Sequence, residues 1–144
     1  MLRLSGGIAV TLADNKLLVQ RLVDEVINGR DLAVLDELCT LALAPKLRLA
    51  FKQFLEAFGD WKQTVVELVA EGDTVVARFR CEGTQTGDWL GLPASGRRMR
   101  IDEVYFFRLE NNRIARLWGL EDTWTRRRQL AGEDARLGEL GSLS

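Results

Sequence analysis

The 144-residue chain contains no histidine. Imidazole is the usual proton carrier and metal ligand near neutral pH, so this absence excludes histidine-based triads, histidine general bases and nearly every catalytic zinc site. The two cysteines, Cys39 and Cys81, are too few for a disulfide framework or a cysteine-only metal centre. We therefore expect both to be buried thiols in a reducing compartment.

An excess of charge of one sign and long apolar runs are missing as well. The 20 basic and 21 acidic residues leave a formal charge of −1, which indicates neither a nucleic-acid nor a membrane partner. No segment reaches the roughly 18 consecutive apolar residues of a membrane span. Gly6-Gly7 interrupts the first residues before any long apolar core, so no secretory signal is predicted either. The expected location is the cytoplasm.

The residues that are present are typical of one globular domain. The composition is 47% hydrophobic and 28% charged, and a chain of this size buries roughly 68–70% of its unfolded surface. We predict a single domain over residues 1–144, with an ordered core from about 14 to 130 and a charged, glycine-broken tail over 131–144.

Three helices are predicted in the first half of the chain. The first begins with Asp14 as its cap and ends before Gly29, since glycine readily takes the left-handed conformation that follows a helix. A short second helix covers Leu32–Leu38. The third runs from Pro45, which suits a first turn, to Gly59.

From Trp61 onward the apolar period becomes two, which predicts a first β-hairpin. Its strands, Trp61–Glu71 and Thr74–Thr84, flank the turn residues Gly72-Asp73. Uninterrupted pairing would place Thr64 opposite Cys81, on the same face as Val66 opposite Phe79.

A second hairpin follows, with strands Arg97–Glu110 and Arg113–Glu121 around Asn111-Asn112. Uninterrupted pairing makes Asp122 the diagonal neighbour of Glu103, roughly 7–8 Å away. The face predicted to point at the helices then carries Met99, Ile101, Glu103, Tyr105, Phe107, Leu109, Ile114, Arg116, Trp118, Leu120 and Asp122.

Helices followed by antiparallel strands predict an α+β fold, a curved sheet packed against about three N-terminal helices with a pocket between the layers. The other sheet face is also apolar, and its predicted members are Val65, Val69, Val76, Val104, Phe106 and Leu117. A second subunit would cover such a surface, so we expect a homodimer packed through the outer sheet face.

Two carboxylates on the helix-facing surface, Glu103 and Asp122, are the candidate catalytic groups. Desolvation favours the neutral form of a carboxyl group and moves its pKa toward values useful for proton transfer. Tyr105 is the candidate that assists them by hydrogen bonding. Two structural alternatives stay open, since Asp122 could face water at the strand end and Glu103 could pair with Arg116.

The candidate ligand-binding residues are the apolar, aromatic and basic side chains expected around the pocket. Trp89, in the glycine-punctuated connection over 83–96, either covers the pocket mouth or simply packs. The basic run Arg126–Arg128 is interpreted as a solvated helix face. The complete candidate set is Trp118, Arg116, Trp89, Ile101, Met99, Phe107 and Phe54.

Four short motifs together point to a family. They are N-G-x-D-L at Asn28–Leu32, G-T-x-T-G at Gly83–Gly87, G-R-R at Gly96–Arg98 and a final W-x-x-x-D at Trp118–Asp122, and the matching region closes with RQL at Arg128–Leu130. With these motifs the chain resembles the SnoaL-like polyketide cyclases of the nuclear transport factor two-like superfamily over most of residues 15–130. Family members often carry histidine at two positions that are Gln85 and Leu117 here.

The resemblance implies a cone-shaped fold with a hydrophobic pocket, commonly dimeric, and with no metal or organic cofactor. It also implies that Asp122 is the general acid/base of an intramolecular aldol ring closure. A related epoxide hydrolase uses two carboxylates and an arginine, residue types that Glu103, Arg116 and Asp122 provide.

Two functions from different classes remain. The first is a cofactor-free enzyme that uses carboxylate acid–base chemistry on a small, mostly apolar molecule, by cyclisation, isomerisation next to a carbonyl, or epoxide hydrolysis. The alternative is a non-catalytic small-molecule-binding or dimerisation module of the same fold. The missing histidine and the short Cys39–Pro45 segment favour the alternative. The enzyme is nevertheless the first hypothesis, because two inward carboxylates are costly to keep in an apolar cavity without a use.

Overall fold

The computed structural model describes residues 2–3 and 9–133, with only the backbone at 2, 3 and 9. Of the predicted tail over 131–144, the part from residue 134 onward therefore lies outside the described residues. The elements in chain order are β1 (Leu2–Arg3), β2 (Ala9–Val10), α1 (Leu12–Arg21) continuing as a π-helical segment (Leu22–Asn28), a 3₁₀ turn (Leu32–Val34) leading into α2 (Leu35–Leu38), α3 (Ala44–Ala57), β3 (Lys62–Glu71), β4 (Thr74–Thr84), β5 (Arg98–Glu110), β6 (Arg113–Glu121) and α4 (Thr123–Leu130).

The first helix begins earlier than predicted. Thr11 is the cap, and its hydroxyl accepts a 3.1 Å hydrogen bond from the Asp14 backbone while the Asp14 carboxylate accepts one of 2.9 Å from the Thr11 backbone. This reciprocal pair is a capping box, so Asp14 is the third residue of the helix rather than its cap. The other two helices lie within a few residues of their predicted bounds.

The long strands form one antiparallel sheet in the order β3-β4-β5-β6. Its inner face packs against the helices, and the buried apolar core lies between the two layers. The predicted α+β fold, with helices on one face of a curved antiparallel sheet, is confirmed. Within the described residues, no helix is long and apolar enough to cross a membrane.

A β-bulge interrupts the first hairpin. The predicted register holds from the turn to Glu67 opposite Arg78, but the pairing shifts by one residue between Val65 and Glu67. Beyond the bulge Gln63, not Thr64, lies opposite Cys81. Because side chains alternate along a strand, the shift turns Gln63 toward the helices and Thr64 toward solvent.

A second bulge changes the last strand. Leu109 pairs with Ile114 as predicted, but Arg108 pairs with Arg116, which leaves Ala115 as the extra residue. From there to the end of β6 the predicted register is wrong by one residue. The side chains of Leu117 and Glu121 therefore face the helices, as does the position of Gly119, whereas Arg116, Trp118 and Leu120 face outward.

Candidate active site

A cavity of about 330 Å³ lies between the inner sheet face and the helices. This volume is at the small end of the range for small-molecule sites. The residues around it are mainly apolar, and the polar groups lie mostly on the sheet side and on α4, with Gln53 on α3. They are Leu22, Ile27, Leu47, Ala50, Phe51, Gln53, Phe54, Trp61, Gln63, Phe79, Trp89, Leu90, Glu103, Tyr105, Phe107, Leu117, Glu121 and Arg126.

Aromatic rings from three parts of the chain form one wall of the cavity. Phe54 on α3 packs against Trp61 with ring centres 4.9 Å apart and meets Trp89 nearly edge-on at 6.3 Å. Phe51 lies 5.4 Å from Phe54 on the same helix. Offset and edge-to-face contacts of this kind hold the rings in defined orientations, so the wall has a fixed shape.

Gln85 holds the loop that carries Trp89 in place. It is completely buried, its amide nitrogen donates to the Leu92 carbonyl at 2.9 Å, and its amide oxygen accepts from the Ser95 hydroxyl at 2.8 Å. The residue that stands where family members often carry histidine therefore has a structural role here.

The two carboxyl groups of Glu103 and Glu121 meet inside the cavity. Glu103 is 5% exposed and lies directly opposite Glu121 on the neighbouring strand. Burial is the largest cause that raises the pKa of Glu103 well above its ordinary value, followed by the negative charge of Glu121 and a hydrogen bond donated to it. The protonated form of Glu103 is therefore favoured, beside a second carboxyl group.

Tyr105 and Cys81 lie close to this pair. Burial is the main cause that raises the pKa of Tyr105, followed by the negative charges of Glu103 and Glu121. Burial likewise raises the pKa of Cys81, with the charge of Glu103 as the next cause. Both groups therefore stay protonated, and Cys81 is not an activated thiolate.

Arg126 brings a positive charge to the same end of the cavity. Its side chain is 4% exposed, and its guanidinium lies 3.7 Å from the nearer Glu121 carboxylate oxygen. A buried guanidinium needs a counter-charge, and Glu121 is the described residue that provides it. The interpretation of Arg126 as part of a solvated helix face is wrong.

Two contacts hold helix α4 against the rest of the protein and thereby keep Arg126 in this position. The Gln129 side chain accepts from the Arg100 backbone nitrogen at 2.8 Å and donates to the Arg100 carbonyl at 3.1 Å, which ties the helix to β5. Leu130 is buried in the core at the end of the same helix. Gln129 and Leu130 of the RQL motif thus anchor the helix that carries the cavity arginine.

Asp122 does not project into the cavity as predicted. It is the cap of α4, where its carboxylate accepts a 3.1 Å hydrogen bond from the Thr125 backbone nitrogen. The bulge in β6 explains the difference, because it gives the inward position to Glu121 and leaves Asp122 at the strand end.

The other predicted site residues divide into three groups. Glu103, Tyr105, Trp89, Phe107 and Phe54 line the cavity. Ile101 and Met99 face inward but lie in the packed core, 0% and 1% exposed, without reaching the cavity. Trp118 and Arg116 lie on the outer sheet face, since they belong to the part of β6 that the bulge reverses.

Sequence reasoning missed Glu121, Arg126 and Gln63. One sequence signal was available for Glu121. Gly119 lies opposite Tyr105, and a β-carbon at Gly119 would come within 2.5 Å of the tyrosine ring. A glycine that faces a large aromatic residue across a strand pair is a recognisable pattern, and it places Glu121, two residues later, on the inner face.

Comparison with known protein families identifies one family that matches most of the chain. The family model described as SnoaL-like polyketide cyclase matches residues 17–130. A comparison with the curated proteins found no match.

Solved structures share the fold over nearly the whole chain. TsrD from Streptomyces laurentii is 29% identical with a TM-score of 0.76, and the match covers 85% of this chain and 98% of TsrD. A protein from Jannaschia sp. CCS1, named as a SnoaL-like polyketide cyclase, is 23% identical with a TM-score of 0.79, covering 88% and 98%. A SnoaL-like polyketide cyclase from Agrobacterium tumefaciens C58 is 21% identical with a TM-score of 0.69, covering 85% and 99%. With the family model spanning most of its length, the chain belongs to the SnoaL-like polyketide cyclase family.

Proposed function

We propose that the protein is a cofactor-free acid–base enzyme that moves a proton next to a carbonyl group of a small, mostly apolar molecule. The observation that carries this proposal is the Glu103–Glu121 pair at the end of an otherwise largely apolar cavity, in which Glu103 is buried and the Glu121 side chain is 31% exposed. Keeping a buried carboxyl group beside a second carboxyl group is energetically costly, which argues for a use.

The environments of the two groups suggest different roles. Glu121 faces the Arg126 guanidinium, which supplies the counter-charge for a carboxylate, so Glu121 is the base that removes a proton from the carbon beside the carbonyl. Glu103 has a raised pKa and gives its proton to the carbonyl oxygen. The products are the enol, protonated Glu121 and ionised Glu103, and one proton passing from Glu121 to Glu103 restores the pair.

Membership of the family supports a cyclase or isomerase role. An aldol ring closure and a carbonyl-adjacent isomerisation both begin with removal of the same kind of proton. The sequence resemblance implied that Asp122 is the general acid/base. In this proposal the neighbouring residue Glu121 has that role instead.

The arrangement also provides the two carboxylates and one arginine that the epoxide hydrolase alternative requires. The trio consists of Glu103, Arg126 and Glu121, instead of the predicted Glu103, Arg116 and Asp122. In that reaction the carboxylate would activate water rather than a carbon acid, so epoxide probes distinguish the two reactions.

The experiment uses 1-tetralone, a bicyclic aromatic ketone, as a probe in D₂O. Proton NMR follows the exchange of hydrogen for deuterium at the carbon beside the carbonyl. We expect the wild-type protein to accelerate this exchange, Glu121→Gln to abolish the acceleration, and Glu103→Gln to reduce it by roughly 10²- to 10⁴-fold. The control is Glu67→Gln, which changes an exposed carboxylate on the outer sheet face.

Equal exchange by wild type and Glu121→Gln would contradict the proposal. If 1-tetralone stabilises the wild-type protein against heat but exchanges no faster than in buffer, the binding-module alternative is correct. Turnover of an epoxide probe without ketone exchange would select the hydrolase reaction.

A further inference from the structure

Gln63 is a second polar group in the cavity, away from the carboxyl pair. It is 6% exposed and lines the cavity from β3, whereas Glu103 is on β5. Strand β4 lies between them, so the two backbone positions are separated by roughly 10 Å across the sheet. A molecule that fills the cavity can therefore contact both ends.

A neighbouring indole sets the orientation of the Gln63 amide. Trp61 Nε1 donates a 3.2 Å hydrogen bond to Gln63 Oε1. An indole nitrogen can only donate, so the amide oxygen must face Trp61 and the amide nitrogen must point elsewhere. Among the described residues none accepts a hydrogen bond from this nitrogen, and it is not sealed off within the protein.

The backbone of Gln63 is also held rigidly. The Asn28 side chain accepts from the Gln63 backbone nitrogen at 2.9 Å and donates to the Gln63 carbonyl at 2.7 Å. Arg30 donates to the backbone carbonyl of Trp61 at 2.9 Å, and the indole ring of Trp61 packs against Phe54 with ring centres 4.9 Å apart. A donor held this firmly loses little freedom when a ligand binds, so it is preorganised for recognition.

We propose that Gln63 is a specificity-determining residue whose amide nitrogen donates a hydrogen bond to an acceptor oxygen of the substrate. The substrate class is then an apolar molecule with two oxygen functions at opposite ends. One oxygen belongs to the carbonyl beside the carboxyl pair, and the other contacts Gln63. A ligand without the distal oxygen leaves a buried donor unpaired, which disfavours its binding.

This inference deepens the proposed function but is tested by binding alone. The probes are 6-acetyl-1-tetralone and 6-isopropenyl-1-tetralone, which have nearly the same shape but differ by one acceptor oxygen replaced with a CH₂ group. Calorimetric titration of the wild-type protein is expected to show roughly fivefold tighter binding of the acetyl compound, typical of one neutral hydrogen bond.

Gln63→Met removes the amide and keeps the length of the side chain. We expect the preference for the acetyl compound to disappear, while the affinity for the isopropenyl compound does not fall, because the variant no longer holds a donor that this compound leaves unpaired. The matched control is Gln53→Met, the same change at a glutamine on α3 that lines the cavity but is itself exposed, and it should keep the preference. Trp61→Phe, which removes the orienting indole donor, should lower the preference and serves as a second test if Gln63→Met does not fold.

The inference is overturned if the wild-type protein binds the two compounds equally or binds neither. It is also overturned if the Gln63→Met variant still prefers the acetyl compound. If Gln63→Met does not fold, an undiminished preference in Trp61→Phe has the same meaning. Failure of the proposed function has a different signature. In that case the preference depends on Gln63 as expected, but the wild-type protein does not accelerate exchange with 1-tetralone.

Discussion

Glu121 lies directly opposite Glu103 on the adjacent strand, and both carboxyl groups line the same cavity. The arrangement resembles other acid–base pairs in which two neighbouring carboxyl groups cannot both ionise easily. The pair has consequences for stability as well as for chemistry, and the first prediction concerns stability.

The free energy of unfolding should depend on pH through Glu103. Because its pKa is raised in the folded protein, the stability that it contributes is fully present below its ordinary pKa, near 4.5, and is lost as pH rises through the raised value. Each pH unit in that interval costs about 1.4 kcal/mol. Glu103→Gln, which carries no ionisable group, should gain stability over the wild type as pH increases.

Urea unfolding at several pH values between 4 and 9 measures this difference. Glu67→Gln is the control, since that carboxylate is exposed and its replacement should give a difference that changes little with pH. A gap between wild type and Glu103→Gln that stays constant over the whole range would show that Glu103 is not the titrating group.

Gly119 leaves room for the ring of Tyr105. A β-carbon there would lie 2.5–2.6 Å from three ring atoms, so Gly119→Ala must displace the tyrosine from its place beside Glu121. We expect a loss of about 1–3 kcal/mol of stability from overpacking, together with slower exchange of 1-tetralone. Gly59→Ala is the matched control, because a β-carbon at Gly59 meets no atom within 4 Å. Equal melting temperatures for Gly119→Ala and the wild type would contradict the packing argument.

Two substitutions at Asp122 distinguish its capping role from a catalytic role. Asp122→Ala removes the cap of α4 and should cost about 1 kcal/mol, whereas Asp122→Asn keeps an oxygen that can accept from Thr125. We expect Asp122→Asn to retain the stability and the 1-tetralone exchange of the wild type. Loss of exchange in this variant at unchanged stability would restore the role that the sequence resemblance implied for Asp122.

The homodimer remains a prediction, and the structure redefines the surface that it would use. Phe106 and Trp118 pair on adjacent strands of the outer sheet face with ring centres 5.7 Å apart, and they are 44% and 61% exposed. Val104 and Leu120 extend the same exposed surface. Of the predicted members, Val65 and Leu117 instead contribute to the inner side.

Trp118→Glu should convert a dimer into a monomer in sedimentation experiments, because burial of a charge opposes association. Leu49→Glu on α3 is the control, since Leu49 is similarly exposed but lies away from the sheet face. A monomeric wild-type protein, or a Trp118→Glu variant that stays dimeric, would refute this interface.

Individual residues show which side-chain orientations could be predicted from the sequence pattern and which could not. Glu103 and Tyr105 were predicted correctly to face inward, because β5 pairs with β4 without interruption along its whole length. Trp118 and Arg116 were placed on the wrong face, since alternation carries an error of one residue to the end of a strand. Arg126 was missed because α4 has no apolar stripe that marks its inner side.

The α+β class, the order of helices and hairpins, the inward face of β5 and the resemblance to the family can all be predicted from the amino-acid sequence. These features follow from local periodicity, capping and turn residues, which act over a few neighbours. Which polar side chains share the cavity follows instead from how the strands and helices pack. Two bulges turn Gln63 and Glu121 inward, and the docking of α4 on β5 brings in Arg126. The physical reason is that a bulge depends on how a whole strand fits its partner and the core, a constraint that no short stretch of sequence contains.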